Sequence, residues 1–209
     1  MSSKERVANV VMLMGAVSML ASCSFFYPTK VYRYRLTIDG VHSGSAVYEV
    51  LAEKNRFRLL ADETAGGSLL RGEALAIETD SGPVFATLKS VDEGDRLLSV
   101  VTHALAPDIP KGGHDNFWEA VSRLGSRADT TKAELPRDGW PIIIRFRDLE
   151  DPSTAEEVNP DAIGLRRILV ETTYEPVTTG IERRLSWIEN GGLPLDRSGP
   201  TFTDRKSVV

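Results

Sequence analysis

Three histidines, several neighbouring carboxylates, two pairs of arginines and one cysteine are the residues of this 209-residue chain with chemistry to offer. The histidines are His42, His103 and His114, and no two stand at the H-x-x-x-H spacing that presents two ligands from one helix face. His114 precedes Asp115 in a glycine-containing stretch, which could form an acid/base pair, and His42 lies beside Ser43 and Ser45. A Ser/His/Asp set can be drawn from distant positions, but the chain has no G-x-S-x-G elbow. The three histidines read as loop or surface residues. Glu150-Asp151 and Glu156-Glu157 read as solvated charges rather than general-acid pairs. Gly66-Gly67, Gly112-Gly113 and Gly191-Gly192 lack the strand-and-helix flanks that a phosphate cradle needs. No catalytic, metal-binding or cofactor-binding residue is assigned on this basis.

The arginines form a more suggestive set. Arg33 and Arg35 project from one face of a first strand, and Arg145 and Arg147 from one face of a later one. Were those strands neighbours, four guanidinium groups would make an anion-reading patch for a lipid headgroup, a polysaccharide or an acidic partner surface. The alternative is pairing of each arginine with the surplus Asp and Glu.

Cys23 closes an apolar run that begins at Val7, after the charged Lys4, Glu5 and Arg6. Residues 1–22 have the basic start, apolar middle and small final residues (Ala21, Ser22) of a secretory signal peptide. The run is shorter than the roughly 20 residues that span a bilayer. Leu20-Ala21-Ser22-Cys23 resembles the lipobox of bacterial lipoproteins. That resemblance implies a cut between Ser22 and Cys23, a diacylglycerol on the Cys23 thiol and a third acyl chain on its new amino group. Each buried methylene contributes about 0.8 kcal/mol, so two or three chains give lasting attachment where one binds reversibly. Ser24, where enteric-type sorting would read Asp as a retention signal, implies the outer membrane, facing the periplasm. Losing Lys4, Arg6 and Glu5 with the leader takes the formal charge from −5 to −6. A mildly acidic chain argues against general nucleic-acid binding. With Cys23 lipidated, no thiol remains for a disulfide or thiolate metal site.

The elements that must position these residues follow from periodicity and turn chemistry. Residues 23–30 form a tether in which Pro28 opposes helix. Residues 31–38 alternate apolar and polar and predict a strand. Asp39-Gly40 is a turn signal before a second strand at 44–52, and 56–60 is a third short one. Residues 62–68 read as a loop, 72–79 and 83–90 as a hairpin about Asp80-Ser81-Gly82, and 92–95 as a turn. Residues 97–105 fit strand or helix equally. After a loop at 107–114, Asn116 reads as the cap of a helix carrying Phe117, Val121 and Leu124, stopped by Gly125. Residues 127–139 read as polar and exposed, 140–146 as the most apolar strand, and 148–157 as irregular. Asn159-Pro160 suggests a capped helical turn, and 168–174 a last strand. Thr179-x-x-Glu182 is a capping box opening a helix to about Ile188, and 200–209 reads as a loose tail. Strand runs first and helices late predict an α+β fold, a single domain with a mostly antiparallel sheet and two or three short helices mainly in the C-terminal half. The expected organisation is leader 1–22, tether 23–30, domain 31–198 and tail 199–209.

The run Trp140-Pro141-Ile142-Ile143-Ile144-Arg145-Phe146-Arg147-Asp148-Leu149 is followed by Asp151-Pro152-Ser153 and Asn159-Pro160-Asp161. Farther on comes Glu175-Pro176-Val177-Thr178-Thr179-Gly180-Ile181-Glu182, leading to Leu185-Ser186-Trp187. With Tyr34-Arg35-Leu36-Thr37, these stretches are similar to a group of small uncharacterised lipoproteins and exported proteins of proteobacteria. The resemblance implies no activity and no functional residues. The sequence therefore leads to a lipid-anchored envelope protein that binds a protein or envelope ligand, the membrane being its first partner. An immunity or inhibitor protein against a toxin or enzyme, and a hydrolase of envelope polymers, stand as alternatives.

Overall fold

Alternation along residues 31–38 sets the first strand of the main sheet. The structure is a computed structural model that describes residues 28–54, 68–90, 97–126 and 129–188. Strand β1 (Thr29–Gly40) and strand β2 (Gly44–Glu53) pair antiparallel, with Tyr34 opposite Tyr48 and Leu36 opposite Ala46. Tyr32, Tyr34, Leu36 and Ile38 fill the inner face of β1, while Arg33, Arg35 and Thr37 take the outer face. This is the period-2 geometry of a strand with one wet side.

Strands β3 (Ser68–Arg71), β4 (Leu75–Ile77) and β5 (Val84–Ser90) follow. The expected hairpin is present: Thr79 N donates to Gly82 O at 3.3 Å and Gly82 N to Thr79 O at 3.0 Å. The strand expected over 72–79 is shorter, because Gly72 at φ 142° breaks β3 from β4. Residues 97–105 are a helix, α1 (Leu97–Leu105), burying Leu97, Leu98, Val101 and Leu105 on one face. Helix α2 (His114–Ser126) buries Ala120, Val121 and Leu124. Asn116 lies inside its first turn rather than capping it, and donates to Gly112 O at 2.9 Å. Gly125 does not stop α2, which continues to Ser126.

Four strands remain. They are β6 (Lys132–Glu134), β7 (Pro141–Phe146), β8 (Ala155–Glu157) and β9 (Leu165–Thr172). The larger sheet runs β3-β2-β1-β9-β6 and the smaller β4-β5-β7-β8, both antiparallel throughout. Strand β6 falls in the stretch expected to be polar and exposed, and β8 in the one expected to be irregular. Each is a three-residue edge strand, too short for a periodic signal, and β8 is exposed along its whole length. Asn159 caps its turn as expected, accepting from Asp161 N at 3.0 Å. The helix expected from Thr179 is instead two 3-10 turns, Ile181–Arg183 and Ser186–Ile188.

The architecture is α+β, with two antiparallel sheets and two helices among the described residues. A principal core joins the larger sheet, both helices and one face of the smaller sheet. A second core lies on the other face of the smaller sheet, where Phe85, Ile144 and Phe146 meet Ile181 and Leu185. Strand β7 is buried on both faces, with Ile143 in one core and Ile144 in the other, which explains its unbroken isoleucine run. The leader 1–22, Ser22 and Cys23 at the cut, the strand at 56–60, the loop at 62–67, the turn at 92–95 and the tail from 199 lie outside the described residues.

Candidate functional site

The four arginines do not share a patch. Arg33 and Arg35 belong to the larger sheet and Arg145 to the smaller one, with Arg147 just past the end of β7, because β1 pairs with β2 and β9 while β7 pairs with β5 and β8. Arg33 Nε donates to Glu49 at 2.9 Å, and Arg71 holds the other oxygen of Glu49 at 3.0 Å. Arg35 donates to Glu171 at 2.9 Å and also pairs with Glu175, while Lys132 meets Glu171 at 2.8 Å. Lys132 foremost, with Arg35, holds the Glu171 carboxyl below the usual carboxylate range, against the opposing effect of partial burial. Arg147 stands 4.0 Å from Glu156, and Arg145 donates to Ser81 Oγ at 2.8 Å. On the larger sheet Glu49 and Glu171 are each shared by two cations from neighbouring strands, and Arg35 holds Glu175 as well, so the arginines there are already met by carboxylates.

The histidines divide differently. His42, in the β1–β2 connection, lies 3.9 Å from Asp80. His103 on α1 and His114 on α2 line one cavity of about 390 Å³ between the two helices and the loop 106–113. His103 and His114 lie on helices rather than in loops, and His114 and Asp115 do not pair with each other. Adjacent residues on a helix point apart, and Asp115 reaches Lys54 at 2.8 Å. His114 Nε2 instead meets the carbonyl of Glu53 at 2.9 Å. A carbonyl only accepts, so this bond places a proton on Nε2.

The cavity has an apolar floor of Leu98, Ala106, Ile109, Phe117 and Ala120. Ser99, His103, Lys111, His114 and Asn116 supply its polar lining, and no carboxylate is among the lining residues. Thr102 also borders it, but its hydroxyl is occupied: it donates to Leu98 O at 2.6 Å and meets the Tyr32 hydroxyl at 2.7 Å. Ser99 and His103 stand one turn apart on α1, yet no hydrogen bond joins them among the described residues. No group of three His, Cys, Asp or Glu close enough to hold a metal occurs among the described residues. The volume falls within the range of small-molecule sites, and the mixed lining suits recognition of a ligand with an apolar body and a polar end.

Sequence reasoning singled out His103 and His114 but did not join them, and it missed Ser99, Lys111, Asn116 and Phe117. The one available signal was the four-residue spacing of Ser99 and His103, which counts only once 97–105 is known to be helical. A smaller recess of about 170 Å³ opens beside Val31, Arg33, Glu49 and Tyr174 near the start of β1. In comparisons with known proteins the chain matches no family model, no curated protein and no solved structure.

Proposed function

We propose that the chain is a lipid-anchored lipoprotein of the cell envelope, cut between Ser22 and Cys23 and held at the periplasmic face of the outer membrane, whose folded part binds a ligand without transforming it. The lipobox-like Leu20-Ala21-Ser22-Cys23 supports the anchoring. The observation that carries the binding role is the cavity between α1 and α2. Apolar and polar side chains from both helices and the loop between them line this open cleft, while its one serine-histidine neighbour pair is not hydrogen-bonded. The outer face of the larger sheet supports the same reading, because its arginines already hold carboxylates.

Cells fed an alkynyl palmitate test the anchor. The wild-type chain is expected to carry the label, to sediment with membranes and to lose its leader. Cys23→Ala is expected to carry no label and to remain uncut. Equal labelling and cutting of the two would remove the lipoprotein reading. Cross-linked recovery from intact cells with a C-terminal tag then asks what is bound. Enrichment of a ligand without a modified product fits binding, whereas turnover of that ligand by the purified chain would make it an enzyme.

A further inference from the structure

We infer that the fold docks on the bilayer by the end at which β1 begins, with Phe25, Phe26 and Tyr27 in the headgroup layer and the surface around Val31 and Tyr174 resting on it. The inference deepens the lipoprotein reading above and rests on it.

The reach of the chain is short. Lys54 N donates to Pro28 O at 3.1 Å and Thr29 is the ladder partner of Glu53, so the chain is fixed to the larger sheet from Pro28 onward. Cys23 precedes Pro28 by five residues, which span at most about 18 Å when fully extended. The headgroup layer takes up roughly 5–7 Å of that distance. Three of the four residues between Cys23 and Pro28 are aromatic: Phe25, Phe26 and Tyr27. Aromatic rings favour the boundary between membrane and water. Three in a row hold the connection along that boundary rather than stretched away from it, and Pro28 is drawn down with them.

The described surface at this end matches. Val31, Val41 and Tyr174 are the large apolar side chains exposed among the described residues. Val31 and Tyr174, the latter 78% exposed, border one recess beside the start of β1. Val41 lies past the other end of the strand, roughly 36 Å away along its length. Two of the three thus stand where the lipid holds the chain. Charge is not the attraction. Among the residues lining the recess the one cation is Arg33, which is held by Glu49, and Asp129 adds a second acid. Docking therefore draws on apolar contact and needs no anionic lipid.

The test uses the full lipidated chain, purified from membranes and placed in phosphatidylcholine nanodiscs that contain a nitroxide-bearing lipid. Acylation blocks the one native thiol, so an introduced cysteine takes a maleimide fluorophore at a single place. One position is Thr130, exposed and lining the recess. The other is Asp80, 99% exposed and beside His42 beyond the far end of β1. Strong quenching is expected in Thr130→Cys and little in Asp80→Cys. Two double changes are then added to Thr130→Cys, Phe25→Ser with Phe26→Ser and, separately, Val31→Thr with Tyr174→Ser. Each is expected to move the ratio of docked to free chain at least about fivefold toward free, the effect of roughly 1 kcal/mol. The first pair precedes β1, and circular dichroism checks that the second leaves the chain folded. Equal quenching at the two positions, quenching at neither, quenching that appears only when anionic lipid is added, or quenching unmoved by both pairs would overturn the inference. The chain without an introduced cysteine reports on the anchor. If it takes the fluorophore at Cys23, acylation is absent, and the lipoprotein reading falls together with the inference. If it takes none while the Thr130 position stays unquenched, the anchor stands and the docking alone is overturned.

Discussion

A single glycine sets how closely α2 rides on the larger sheet. A Cβ on Gly125 would stand 2.3 Å from the carbonyl oxygen of Val31, a distance that backbone cannot yield without moving the helix. By spacing alone Gly125 reads as a helix stop, the commonest use of glycine near a C-terminus. The structure gives it another role, close approach of helix and strand. In a free helix, Gly→Ala stabilises by about 1 kcal/mol. Here Gly125→Ala is expected to destabilise by about 1–3 kcal/mol, the range for overpacking, as a lower urea midpoint with an unchanged slope. A higher midpoint would mean that α2 and β1 are not in contact at this point. Glu49 is a second such residue. It is 7% exposed, and its carboxylate lies between Arg33 and Arg71, so a buried charge is tolerated because both of its oxygens are occupied.

The C-terminal turns show how one element is decided by another. Thr179-x-x-Glu182 has the spacing of a capping box, and a regular helix would follow if Thr179 held the free amides. In the structure Gly180 occupies the cap position at φ 113°, with no side-chain cap. The amide of Ile181 donates to Glu73 Oε2 at 2.8 Å, a residue 108 positions away in sequence. Thr178 is drawn to β2 past the end of β3, where its hydroxyl accepts from Val47 N at 2.9 Å and its own amide donates to Val47 O at 3.0 Å. The segment is thus pinned at both ends by distant partners, and it forms short 3-10 turns that place Ile181 and Leu185 in the second core. Thr179→Ala is expected to change stability by less than about 0.5 kcal/mol, as at an ordinary surface position. Glu73→Ala is expected to cost about 1–2 kcal/mol, because it leaves the Ile181 amide without its partner. Thermal denaturation of the two variants ranks them. The reverse order would restore the capping box.

At the scale of the molecule, a layer of buried tyrosines joins the larger sheet to the helices. Tyr34 stacks on Tyr48 with ring centres 5.3 Å apart, and Tyr32 lies 6.1 Å from Tyr34. The Tyr32 hydroxyl meets Thr102 of α1, while that of Tyr34 has no partner among the described residues. Burial raises the ionisation of all three phenols above its ordinary value; the Thr102 bond opposes this for Tyr32 without overcoming it. The folded state therefore holds them neutral, while the unfolded chain ionises near the ordinary tyrosine pKa of about 10. Stability from this layer is complete below that pH and falls as pH rises beyond it. Near-ultraviolet absorbance is expected to show these three of the five tyrosines ionising only as the fold is lost. Smooth ionisation of all five in a chain that keeps its circular dichroism would contradict the packing.

Strands β1, β2 and β7, the Thr79–Gly82 turn and the Asn159 cap are legible in the sequence by itself. Each expresses a local rule: alternation of side chains, a glycine turn, or an acceptor one step before Pro160. The α+β class follows from the same local signals. The tertiary structure alone decided that 97–105 is a helix, because its apolar run satisfies either period until it is packed against β5 and α2. It also decided β6 and β8, whose three residues each are held by ladder bonds to a neighbour rather than by their own composition. The arginines obey the same division. That Arg33 and Arg35 share a face is local, but that Glu49, Glu171 and Glu175 answer them depends on which strands pair. The cavity belongs wholly to the second kind. Its histidines stand eleven positions apart, and only the packing of α1 against α2 and the bond from His114 to Glu53 bring them to one space. Periodicity records which way each side chain points; burial and hydrogen bonding between distant segments determine what it meets there.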